Sequence, residues 1–224
     1  MKNSLFTLML IAITFAFTSC SKDDAGSGTA TLQITAGITN SGTRAMGAAD
    51  LSFTSGYVWV REIVFDGTIA GGGSVSRTVE RFSKIDFATG VATPSLDDII
   101  IPAGTYNYVN LGVELRDEDT QPAIIMDGTY TRTDDTTSPI QFRFNSGEVF
   151  EAETSQQVTV NEDETVLARI VFDPDVWFSV VSTDALDNAN VNNAGVIVIS
   201  ENSNSAIFDL VADRLDISTQ SVFE

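Results

Sequence analysis

The chain has 224 residues, with 31 Asp and Glu against 12 Lys and Arg and a formal charge of −19 at pH 7. A field of that sign repels nucleic acid and anionic lipid, which excludes nucleic-acid binding as a role. With no histidine and a single cysteine, Cys20, Ser-His-Asp and Cys-His chemistry, His-ligated metals and internal disulfides are excluded too, and core packing must supply the stability.

The chain opens with Lys2 and then an apolar run over 5–17, broken only by Thr7 and Thr14. A spanning helix needs about 20 apolar residues, so this run reads as a removable export signal covering 1–19. Phe17-Thr18-Ser19-Cys20 resembles the lipobox at which lipoprotein signal peptidase cuts. The resemblance implies acylation of Cys20 and stable anchoring by several acyl chains. Ser21-Lys22-Asp23-Asp24 resembles the signal that sends Bacteroidetes-type lipoproteins to the outer face of the outer membrane, with Lys22, Asp23 and Asp24 as the export residues. Residues 20–29 then form a short polar tether.

From 30 to 172 the pattern predicts a mainly β domain, an antiparallel β-sandwich. Strands are expected at 31–38, 57–65, 79–87, 96–101, 106–115, 123–132, 140–144, 149–152, 156–160 and 166–172. Each is short, alternating and rich in Val, Ile, Thr, Phe and Tyr, with Gly, Pro, Asp or Asn between. In 106–115, Val109, Leu111, Val113 and Leu115 form the inward set, which Asn107 interrupts. Tyr106, Tyr108, Asn110, Gly112 and Glu114 are assigned to the wet face.

The remainder, 173–224, reads as a short C-terminal helical segment packed on the sandwich. Asp173 and Pro174 form a helix-start pair. A short buried strand or helix approach is expected at 196–199. Ile207, Leu210, Val211 and Leu215 share one face of a helix over 205–217. At 101–106 and 171–177 the chain resembles uncharacterised β-sandwich lipoproteins of Bacteroidetes-type bacteria, domains of unknown function. That resemblance implies a fold and a location but no chemistry.

Four sets of residues are candidate sites. Acidic loops can chelate Ca²⁺, which takes six to eight oxygens. Alternating strand direction puts Asp134, Asp135, Glu162, Asp163 and Glu164 at the pole of the Pro102 turn, as a possible Ca²⁺ site. The same logic puts Asp117, Glu118, Asp119, Glu151 and Glu153 at the other pole. The Asn-rich stretch 187–195 resembles a calcium loop without the required Gly and Glu. Tyr106 and Tyr108, with Tyr57, Trp59 and Tyr130, form a possible glycan-stacking platform, against the commoner use of strand aromatics as core. Arg77, Arg81 and Lys84 could meet lipopolysaccharide phosphates or an acidic partner, against the commoner reading as a charged edge-strand defence.

The functional expectation is a non-enzymatic surface lipoprotein that binds or assembles within an outer-membrane or cell-surface protein complex. The expected partner is an outer-membrane protein, with the membrane reached through the lipid anchor. The alternatives are a glycan- or calcium-dependent adhesion module and a carboxylate-based glycoside hydrolase, which would need two acids about 5–10 Å apart.

Overall fold

In the computed structural model of the chain, residues 28–39, 44–46, 49–96, 99–215 and 220–223 are described. The signal run, Cys20, Lys22, Asp23 and Asp24 lie outside the described residues. The chain order begins β1 (Thr29–Ile38), β2 (Arg44–Met46), β3 (Ala49–Ile69), β4 (Gly73–Asp86), β5 (Ala92–Thr93), β6 (Ile99–Pro102) and β7 (Gly104–Leu115). It continues with β8 (Ile124–Thr131), β9 (Thr137–Phe144), β10 (Val149–Thr154), β11 (Val158–Val160) and β12 (Thr165–Phe172). The last part holds α1 (Pro174–Trp177), α2 (Thr183–Asp187), β13 (Ile197–Ile199), α3 (Ser205–Ala212) and β14 (Gln220–Phe223). The fold is mainly β, as the alternation implies.

Two sheets result. The small one runs β14-β12-β1-β6 and the large one β10-β7-β3-β8-β9-β13, with β2, β4, β5 and β11 at its margins. The long strand β3, 21 residues, organises the large sheet. Its first half pairs with β8 and its second half with β7. Both neighbours run antiparallel to β3 along one edge, so β7 and β8 form a single line of strand with residues 116–123 looped out between them. That loop leaves and rejoins at one residue: Arg116 N donates to the Trp59 carbonyl at 3.1 Å, and Trp59 N donates to the Ala123 carbonyl at 2.7 Å. Glycine permits the close strand approach here. A Cβ at Gly56, whose φ is +132°, would collide with the Ile125 carbonyl.

Two pairings depart from the antiparallel expectation. β1 pairs with β12 in parallel, and β13 pairs with β9 in parallel. Neither pair is joined by a hairpin, so no turn dictates its direction. The segment from 173 onward, expected as helical, also supplies one strand to each sheet, β13 and β14.

The core is continuous but has two kinds of cover. Beneath the second half of β3 lies the small sheet, and Leu32, Ile34, Ile170 and Phe172 share one core with Ile63, Phe65 and Leu111, all at most 2% exposed. Beneath the β8–β9 end lie the C-terminal helices. Phe142 packs against Phe178 at 5.8 Å and Phe208 at 6.0 Å, and Phe53 against Phe178 at 5.1 Å. Phe172 joins the two regions, edge-on to Phe150 at 5.2 Å and to Trp177 at 5.8 Å. Asp173 caps α1 by accepting from Asp175 N and Val176 N, with Pro174 in the first turn. This turns the chain sharply from β12 into the helices.

Candidate functional site

The acidic loops do not converge. Glu162, Asp163 and Glu164 do lie beside the Pro102 turn: Asp163 N donates to the Thr29 carbonyl at 2.8 Å, and Ala103 N to the Gly28 carbonyl at 3.0 Å. Asp134 and Asp135, in the β8–β9 turn, sit at the opposite end of β3, where Thr131 pairs with Asp50. The expectation assumed that every strand reverses direction, whereas β7 and β8 do not. The carboxylates close their own turns instead. Asp134 accepts from Thr136 N at 2.9 Å, Glu164 accepts from Asn161 N at 2.7 Å, and Asp135 and Asp163 occupy left-handed positions at φ 65° and 60°. Among the described residues, no three carboxylates are grouped to hold a metal ion.

The 116–123 loop is at mid-length of β3 and not at a pole. Glu118 pairs with Arg61 at 3.3 Å and Arg116 at 3.6 Å, and Asp119 with Arg116. Glu151 and Glu153, on β10, accept from Asn110 at 3.2 Å and the Tyr108 hydroxyl at 2.8 Å. In the Asn-rich stretch the side chains tie the chain to itself. Asn188 donates to the Asp184 carbonyl, and Asn192 Oδ1 accepts from Ala194 N and Val196 N. Asp187 is a latch for α2, accepting 2.7 Å from the Tyr130 hydroxyl and 2.6 Å from the Thr133 hydroxyl. Those hydrogen bonds, from Thr133 first and Tyr130 second, hold its carboxyl below the ordinary value. Burial, then the bond to Asp187, pushes the Tyr130 phenol up.

The expected aromatic platform divides. Tyr106 and Tyr130 are fully buried, so neither can stack a glycan. Strict alternation turns Tyr106 outward, but the pairing with β3 shifts between Thr68 and Ile69, which skips Asn107 and turns Tyr106 inward. Its ring meets Phe65 edge-on at 5.6 Å, and its hydroxyl donates to the Pro102 carbonyl at 2.6 Å. Asn107, which interrupts the inward set, was the signal. Tyr108 does face outward, in a shallow depression it shares with Asp66, Thr68, Ser74 and Ser76.

Tyr57 and Trp59 remain outward, two residues apart on β3 and alternating with the buried Val58 and Val60. Each carries a cation on its ring. The Lys84 ammonium lies 4.3 Å from the centre of Tyr57, and the Arg116 guanidinium 5.1 Å from that of Trp59. Phe82, two residues from Lys84 across the buried Ser83, is 50% exposed. Across β8 from Tyr57, the register places Ile125 and then Arg143. Of the basic trio, Arg77 and Arg81 bond the carbonyls of Ser76 and Ser95, and only Lys84 joins this group. The sequence names Tyr57, Trp59 and Lys84 but does not bring them together, because the cations come from two other strands, β4 and β9, and from the loop.

The chain matches no protein-family model, no curated protein and no solved structure.

Proposed function

We propose that the protein is a non-enzymatic binding or assembly module of an outer-membrane or cell-surface protein complex. It would be held by acylation at Cys20 and sent to the cell exterior by Lys22, Asp23 and Asp24, like the Bacteroidetes-type lipoproteins its N-terminus resembles. The small sheet carries this reading. Its four strands contain no Asp or Glu, in a chain that has 31. Its outward positions are Thr31, Gln33 and Thr35 on β1, Ile100 on β6, and Leu167, Arg169 and Val171 on β12, with Ile100 50% exposed. Loss of charge at the centre of a surface distinguishes interface cores from ordinary surface, more than bulk apolarity does. The surrounding acidic surface would repel acidic competitors and steer a partner with a basic rim.

Two carboxylates are poorly suited to be the general acid that the hydrolase alternative needs. A general acid needs a raised pKa. Asp134, mainly through its bonds from Thr136, and Asp187, through Thr133 and Tyr130, are both lowered.

Mild detergent extraction of the native outer membrane tests the proposal. The protein should migrate well above its own 24.0 kDa together with at least one other polypeptide, and Cys20→Ser should release it from the membrane fraction. Migration of the wild type as a lone monomer would sink the partner, and detergent-free solubility of the mature wild type would sink the anchor.

A further inference from the structure

The basic side chains on the outward face at Tyr57 and Trp59 fall into two kinds. Arg61 and Arg116 are neutralised beside it, by Glu114 at 3.2 Å and by Glu118 and Asp119. Lys84 and Arg143 are not. Among the described residues neither forms an ion pair, although the chain carries 31 carboxylates. Lys84 rests on the Tyr57 ring, and Arg143 donates from Nε to the neutral Gln141 side chain. Two carboxylates border the patch, and both are engaged with neutral donors. Asp86 accepts from Thr89 N at 2.9 Å and its hydroxyl at 3.0 Å, and Asp127 accepts from Gln141 at 2.5 Å. Arg143 is close enough to Tyr57 for its charge to oppose the burial that raises that phenol's pKa, while Asp127 acts with the burial.

Two cations that form no ion pair among the described residues therefore flank two outward rings, in a chain of net charge −19. The rings are two residues apart on one strand, which sets them roughly 6–7 Å apart along it. The looped-out 116–123 segment, which departs and returns at Trp59, walls one side and supplies the cation over that ring. Aromatic faces accept the C–H faces of sugar rings, and an ammonium and a guanidinium accept an anion. A neutral glycan would leave the cations unused, and a bare anion would leave the rings unused.

We propose that this face binds an acidic saccharide, with sugar rings on Tyr57 and Trp59 and its carboxylate or phosphate held by Lys84 and Arg143. The site is on the opposite sheet from the surface proposed for the protein partner, and it stands or falls independently of that partner.

Tryptophan emission reports on it directly, since the chain has two tryptophans, Trp59 in the site and Trp177 fully buried. The full-length lipidated protein in detergent is titrated with oligogalacturonate, with a phosphorylated mannose oligosaccharide, with neutral maltohexaose and with inorganic phosphate. Either acidic saccharide should shift the emission saturably, and the one that does so names the anion. Maltohexaose and phosphate should not shift it. The double variant K84Q/R143Q should weaken binding at least tenfold. Arg169→Gln on the small sheet removes one cation elsewhere and should leave binding intact. Trp59→Phe should abolish the signal, with Tyr57→Ala weakening binding followed by calorimetry. Circular dichroism confirms that each variant is folded. Three results would overturn the proposal: no saturable response to either acidic saccharide, equal response to maltohexaose or phosphate, or equal weakening by R169Q and K84Q/R143Q.

Discussion

The small sheet and the large sheet bury the same kinds of residue and differ in what they turn outward. Inward, each shows Leu, Ile, Val and Phe at nearly full burial. Outward, the small sheet shows Thr, Gln, Ile, Leu, Val and one Arg. The second half of the large sheet shows Glu62, Asp66, Glu80, Glu114, Glu151 and Glu153. Glu80, Glu62 and Glu114 even stand opposite one another across three strands, an arrangement that costs stability because like charges face each other. A sheet that only had to be soluble would not concentrate its acids on one exterior and omit them from the other. Burial explains the inner faces and leaves the exteriors free to differ, and the proposed partner surface rests on that difference.

The largest expected effect removes what the two sheets share. Phe172→Ala should cost about 3–5 kcal/mol in denaturant unfolding, because its ring joins the sandwich aromatics to Trp177 and the helices. Its loss should leave one transition; two separate transitions would mean that the regions fold independently. Next comes Ile100→Asp on the small sheet. It should change stability by no more than about 0.5 kcal/mol and weaken co-purification of a partner at least tenfold, about 1.4 kcal/mol. Glu151→Gln on the large sheet should leave co-purification unchanged, and if both variants behave alike the two exteriors are equivalent.

Tyr130→Phe should cost about 1 kcal/mol, the usual net worth of one hydrogen bond, by weakening the latch on α2. The Asp187 carboxyl is depressed in the folded state, so its stabilisation is complete above the ordinary value of 3.8 and disappears as pH falls through the lower folded value. An acid titration should therefore narrow the gap between wild type and Asp187→Asn, and a constant gap down to pH 2 would show that Asp187 carries no such charge-dependent role. The smallest effect is opposite in sign. Glu62→Gln should stabilise the protein by roughly 0.2–0.5 kcal/mol and reduce its stabilisation by added salt. A loss of stability would show that Arg61 already outweighs the repulsion.

Much of the fold was legible because alternation is a local property. All ten expected strands overlap observed ones, and Asp173 and Pro174 start a helix as their chemistry requires. What could not be read were non-local relations. The apolar pattern is weak over Ser52, Thr54, Ser55 and Gly56, so β3 looked half its length. Its first half is held by β8 and by a glycine needed for close approach. That hidden half allowed β7 and β8 to run end to end and displaced Asp134 and Asp135 from the pole shared with Glu162, Asp163 and Glu164. One skipped residue, Asn107, sent Tyr106 into the core. The candidate site at Tyr57 and Trp59 was half visible, since its rings lie on one strand and its cations come from others.

The placement of β1 has a mechanical consequence. Where Cys20 fastens the chain to a membrane, any pull on the body enters at Thr29, the first residue of β1. That strand lies inside the small sheet, with eight register pairs to β12 on one side and four to β6 on the other. Strand hydrogen bonds lie across the strand axis, so traction along β1 loads both ladders in shear and strains their bonds together instead of peeling them singly. Such an attachment point is a clamp, and if the chain is acylated at Cys20 as proposed, drag on the domain should break that anchorage before it extracts the first strand.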